Sequence, residues 1–116
     1  LFSYVAHRAL LDEPLRLCAG DFGRQSVTQG AAGRDHNPKG FTYWLAGGGI
    51  KGGTNYGETD EIGFEAVVNR HHVRDLHATI LHLMGFDPDK LTYFYGGLDQ
   101  RLTGVKGGEV IRGIIA

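Results

Sequence analysis

Apolar positions along the chain fall into short runs separated by glycine-rich polar stretches, and the spacing within each run predicts its element. Phe2, Val5, Ala6, Ala9 and Leu10 recur at helical intervals over residues 1–12, and Asp12-Glu13-Pro14 ends that run. Leu15 to Ala19 reads as a short strand. Phe41 to Ala46 reads as a second, nearly continuous in its hydrophobicity, as strands buried on both faces are. Between them, residues 20–40 are polar and glycine-rich with almost no apolar anchor after Phe22, a connection of a length that is usually functional or mobile.

Gly47 to Gly53 reads as a chain reversal. Ile62, Phe64, Ala66 and Val68 alternate, which predicts an edge strand or extended arm. Asp75 is the expected N-cap of a helix running through Met84, with Leu76, Ile80, Leu83 and Met84 as its buried stripe and Gly85 as its stop. Beyond Pro88 the pattern weakens. Residues 91–95, 101–105 and 109–115 are short strands or loops, and Val110 to Ile115 has the strongest strand pattern of the three. Helix, proline turn and strand in succession are the rhythm of an α/β sheet, so one α/β domain or part-domain without an internal linker is expected.

Composition changes this picture little. Twelve basic and thirteen acidic residues give a net charge of −1, which argues against nucleic acid or an anionic membrane as the main partner. No apolar stretch approaches the ~18 residues of a membrane span. Glycine is the exception: 19 of 116 residues, about 16% against a usual ~7%, clustered between the apolar runs, which points to tight turns in a folded domain. The single cysteine, Cys18, excludes an internal disulfide and any multi-cysteine zinc site. Its place in an apolar strand predicts a buried, inert thiol. The chain opens on Leu1-Phe2 in mid-pattern, as expected of a piece of something longer.

Candidate chemistry gathers at the strand ends. Asp21 directly follows the first strand, where ligands collect in open α/β sheets, although it equally suits a turn cap. Gly33-Arg34-Asp35-His36 is the sharper feature. A carboxylate and an imidazole side by side suit a divalent metal or acid–base work, and a neighbouring guanidinium suits an anionic oxygen. The bland alternative is a solvated loop.

The other histidines say less. His77 and His82 lie five residues apart, about 140° around a helix, and so cannot share one metal from one face. His82 reads as a satisfied helix histidine and His7 as a surface one. His71 and His72 precede the helix, either in a solvated turn or turned towards a strand-end site. Gly47 to Gly53 lacks the Gly-Lys-Ser/Thr ending of a phosphate loop.

Gly20-Asp21-Phe22-Gly23-Arg24, Gly33-Arg34-Asp35-His36-Asn37-Pro38 and the run from Phe41 to Gly53 together resemble an uncharacterised sulfatase-like family of the alkaline phosphatase superfamily. Asp75-Leu76-His77-Ala78-Thr79-Ile80-Leu81-His82-Leu83-Met84-Gly85 is similar to a helix common in sulfatases, with Ala78 in place of a proline. Leu91-Thr92-Tyr93 and Arg101-Leu102-Thr103-Gly104 continue the likeness. The resemblance implies the C-terminal part of a three-layer α/β/α sandwich around a mostly parallel sheet, with a divalent metal (Zn, Ca, Mg or Mn) at the strand ends.

Carried over by position, Asp21, Asp35 and His36 become metal-ligand candidates, Arg24 and Arg34 anion-binding candidates, and His72 and His77 candidates for supporting the ligands. Phe22 stands where the superfamily often has a histidine, which removes one potential ligand. No nucleophile motif is visible. The resemblance therefore implies part of a metal-dependent hydrolase of small anionic sulfate or phosphate esters, completed by a missing N-terminal part or another subunit. The alternative is a non-catalytic binding or structural domain. Relatives of this type often carry export signals, so a secreted or periplasmic parent is compatible with the resemblance, while the residues themselves indicate no compartment.

Overall fold

The computed structural model describes residues 13–28, 30 and 32–116. The helix expected over residues 1–12 lies outside the described residues. The chain divides into two compact units, Leu1–Arg70 and His71–Ala116.

In the first unit, β1 (Arg16–Ala19) and β4 (Tyr43–Ala46) occupy the two strands expected around residues 15–19 and 41–46. They pair antiparallel, with Cys18 opposite Trp44 and Leu17 opposite Leu45. β2 (Gly23–Arg24) pairs antiparallel with β3 (His36–Asn37), and β5 (Glu58–Thr59) with β6 (Ala66–Val68). Each pair is a separate two-stranded sheet. The second unit contains α1 (Val73–Leu83), a hairpin of β7 (Thr92–Tyr95) and β8 (Leu98–Arg101) closed by Gly96-Gly97, and a short 3-10 helix, Arg112–Ile114.

The expected α/β/α sandwich with a mostly parallel sheet is therefore wrong: every strand pair among the described residues is antiparallel, and one α-helix accompanies them. The physical reason lies in the connection. Parallel neighbours need a crossover of a dozen or more residues, usually helical. The stretch between β1 and β4 instead folds back on itself as the β2–β3 hairpin. The apolar run of β4 also overstated its burial, because Trp44 keeps 48% of its surface exposed. Cys18 is exposed too, not a buried thiol, since β1 has β4 on one side and solvent over most of its side chains.

The helix forms close to where its spacing placed it, with its start read differently. Its N-cap is His72, not Asp75. The His72 Nδ1 accepts from the Arg74 N–H (3.2 Å), while Asp75, at the third helical position, accepts the His72 N–H (2.8 Å) in a capping box. At the other end the Gly85 N–H donates to the His82 carbonyl and the Phe86 N–H to the Leu81 carbonyl, so Gly85 is the stop it was expected to be.

The buried side chains of α1 are Leu76, Ala78, Thr79 and Leu81, covering more of the helix than one stripe. Met84 belongs with Val73 and His77 on the exposed side, not in the core. Val110 to Ile115, expected as a strand, contains the 3-10 turn. Ile111 is buried and donates its N–H to the Thr79 hydroxyl (2.9 Å), so its partner is a helix side chain and not a strand.

Candidate functional site

The β2–β3 hairpin positions most of the candidate side chains. Register sets Arg24 opposite His36, which brings two residues distant in sequence to neighbouring places on one small ribbon. The Gln25 N–H extends the ladder by donating to the Asp35 carbonyl (2.9 Å). Gly23 is required by close approach, because a Cβ there would overlap the carbonyl oxygen of Gly40.

The root of the hairpin is Asn37, 1% exposed. Its Nδ2 donates to the carbonyls of Phe64 (2.7 Å) and Gly63 (3.3 Å), and its Oδ1 accepts the Lys39 N–H (3.1 Å). Asp60 fixes the opposing loop by accepting the Phe64 N–H through Oδ1 (2.6 Å). His36 is thus held from the backbone of its buried neighbour while its own side chain stays at the surface. Sequence reading missed Asn37 as the anchor. The signal was present in Asn37-Pro38, where an Asn side chain that accepts from the N–H two residues on makes a turn.

Around this root the side chains form a stacked, cation-rich patch. The rings of Phe22 and His36 stack with centroids 3.9 Å apart at 27°, and the Arg24 guanidinium lies 5.6 Å from the centre of the Phe22 ring. Phe22, standing where the resemblance expected a histidine, therefore packs against His36 in place of supplying a ligand. Arg24 Nη1 donates to the Arg34 carbonyl (3.1 Å), and Arg34 Nη1 donates to the Ser26 carbonyl. Both candidate anion-binding guanidiniums brace the loop with one of their nitrogens. Each keeps further donors, since a guanidinium carries five.

Asp21, Asp35 and His36 are all exposed. Among the described residues, no three His, Cys, Asp or Glu side chains gather where they would hold a metal ion. Asp21, Asp35 and His36 therefore do not by themselves make a complete metal site.

His72 and His77 lie in the second unit. The Nδ1 lone pair of His72 is spent on capping α1, and His77 stands on the exposed side of that helix. Asp75 is the perturbed carboxylate of this unit. Burial opposes its ionisation, but the N–H groups of Glu109 (3.0 Å) and His72, with the charges of His71 and Arg74, outweigh that cost. They hold it below its ordinary value.

The hairpin and the capped helix are local devices that many proteins use, so the class of protein comes from likeness along the whole chain. Residues 1–115 match the family described as "Protein of unknown function (DUF1501)", and the chain belongs to that family. Comparison with curated proteins and with solved structures found no match. Among the described residues no helix is long and apolar enough to cross a membrane.

Proposed function

We propose that the chain is the part of a sulfate- or phosphate-ester hydrolase that presents Arg24, Arg34, Asp35 and His36 to a small anionic ester. The supporting observation is the register of β2 with β3, which sets Arg24 beside His36 and ties Arg34 into the same loop. In this reading the free donors of Arg24 and Arg34 bind the ester's oxygens, and the stack on Phe22 fixes the plane of the His36 imidazole, a candidate metal ligand. Asp21, Asp35 and His36 would supply only some of the ligands for a divalent metal. Once bound, such a cation polarises the ester and offsets developing charge.

A second reading, binding without turnover, is favoured by the bracing role of both guanidiniums. One assay separates the two: hydrolysis of p-nitrophenyl sulfate and phosphate by the protein, with Zn²⁺, Mn²⁺, Ca²⁺ or Mg²⁺ supplied. Hydrolysis that falls about 100-fold or more in His36→Ala supports the enzyme. No hydrolysis with any of the four metals refutes it. Calorimetric binding of an ester that is never turned over is the outcome for the second reading.

A further inference from the structure

The β7–β8 hairpin of the second unit has two edges, and they differ. Tyr95 stands opposite Leu98 across Gly96-Gly97, whose φ values of 61° and 82° make a type I′ turn. Facing pairs on such a ribbon alternate between hydrogen-bonded and non-hydrogen-bonded, beginning with a bonded pair at the turn. Tyr95 with Leu98 and Tyr93 with Gln100 are therefore bonded across the ribbon. The N–H and C=O groups of Thr92 and Phe94 point outward from one edge, and those of Asp99 and Arg101 from the other.

The β8 edge is guarded. Asp99 and Arg101 place charges along it, and the Arg101 carbonyl already accepts the Gly104 N–H (3.0 Å) in a turn that ends the strand. The β7 edge has no such protection. Thr92-Tyr93-Phe94-Tyr95 contains no charge, proline or bulge, and the outward groups of Thr92 and Phe94 have no partner among the described residues. Its side chains are uncovered as well: Tyr93, Phe94 and Tyr95 keep 72%, 68% and 70% of their surface exposed. A neutral, aromatic, unpaired edge is a template for another strand.

The geometry points to a second copy of this chain as that strand, its β7 pairing antiparallel with β7 across a two-fold axis at Tyr93. Register singles out this arrangement. With Tyr93 opposite its own counterpart, Thr92 faces Phe94 of the second copy and Phe94 faces Thr92, so every outward N–H and carbonyl of both edges is paired. A register centred on Phe94 would set Thr92 against Gly96 in the turn. One centred on Thr92 would set Phe94 against Lys90, whose N–H is already given to the Asp87 carbonyl (3.2 Å). The register at Tyr93 opposes no like charges, and it sets Tyr95 against Leu91 of the second copy, an aromatic–aliphatic pair of the kind that stabilises sheets.

At roughly 150–250 Å² per aromatic side chain, the exposed rings of two copies offer roughly 600–1,000 Å², close to the ~1,000 Å² that a specific interface needs. The resulting sheet runs β8–β7–β7–β8. Its outer edges are the guarded strands, so assembly stops at two copies.

Sedimentation velocity of the protein from about 1 to 500 μM should show a monomer passing reversibly into a dimer, at the micromolar strength of a small interface. Tyr93→Lys and Tyr93→Glu each put like charges opposite one another on the axis and should raise the dissociation constant about tenfold or more. An equimolar mixture of the two variants should restore the dimer, because the axis then joins opposite charges. That rescue also shows that neither variant has lost its fold. A protein that stays monomeric at every concentration, as when something other than a second copy covers the edge, overturns the proposal. So do a dimer that Tyr93→Lys leaves intact, a mixture that stays monomeric, and growth past two copies.

Discussion

Asp35 and His36 in the first unit and His72 and Asp75 in the second are the same two side-chain types close together in sequence, yet the fold uses them differently. His72 and Asp75 spend their polar atoms on the start of α1, and Asp75 also accepts the N–H of Glu109 from the later segment. Asp35 and His36 lie exposed on a ribbon whose buried work is done by the next residue, Asn37. An Asp–His pair in a sequence is therefore ambiguous until its backbone surroundings are known. Beside an unsatisfied helix end it becomes a cap. Beside a buried anchor such as Asn37, it stays exposed at the surface.

The sharpest way to break this contrast is to remove the anchor. Asn37→Ala would leave the carbonyls of Gly63 and Phe64 and the Lys39 N–H without their partner, and should cost about 3 kcal/mol in urea denaturation. Hydrogen exchange should quicken first around residues 23–25 and 36–40. A loss below about 0.5 kcal/mol would mean that the hairpin does not rest on Asn37.

Asp75→Ala should cost somewhat less, about 2 kcal/mol, by removing a cap and a charge-assisted bond to Glu109. Its pH dependence has a definite sign. The folded-state pKa lies below the ordinary 3.8, so the contribution of Asp75 is fully present above that value and is lost as pH falls through the folded-state pKa. Acid denaturation curves of wild type and Asp75→Asn should therefore converge below pH 3.8 and separate above it. Parallel curves would show that the carboxylate's charge is not what the cap uses.

The smallest effects are expected at the candidate site itself. Asp35→Ala and His36→Ala should each shift stability by no more than about 0.5 kcal/mol, because both side chains are exposed. A loss comparable to that of Asn37→Ala would make the Asp35–His36 pair as structural as His72 and Asp75.

Legibility in the sequence followed the range of the interaction. The helix near residues 75–84, its stop at Gly85 and the strands near 15–19 and 41–46 depend on neighbours within a turn or a few residues, and apolar spacing carries that information. Even there the cap was displaced. Asp75 has the residue type of an N-cap, but the helix starts at Val73, where a histidine nitrogen serves as acceptor and Asp75 completes the box from inside. At the candidate site, the residue types of Asp21, Arg24, Arg34, Asp35 and His36 were legible. The pairing of Arg24 with His36 and the anchoring by Asn37 were not, because both depend on a hairpin and on the loop at residues 63–64.

The pattern of apolar and polar positions by itself determined where β1, β4 and α1 lie, that no apolar stretch is long enough to span a membrane, and which side chains were candidates for chemistry. Tertiary structure alone decided the rest: that the strands pair antiparallel as separate ribbons, that Cys18 and Met84 face solvent, and that Ile111 bonds to Thr79 instead of to a strand. A residue's apolarity states how much burial would stabilise it, about 25 cal/mol per Å². It does not state which surface will come to cover it, and strand direction, burial and anchoring all depend on that partner.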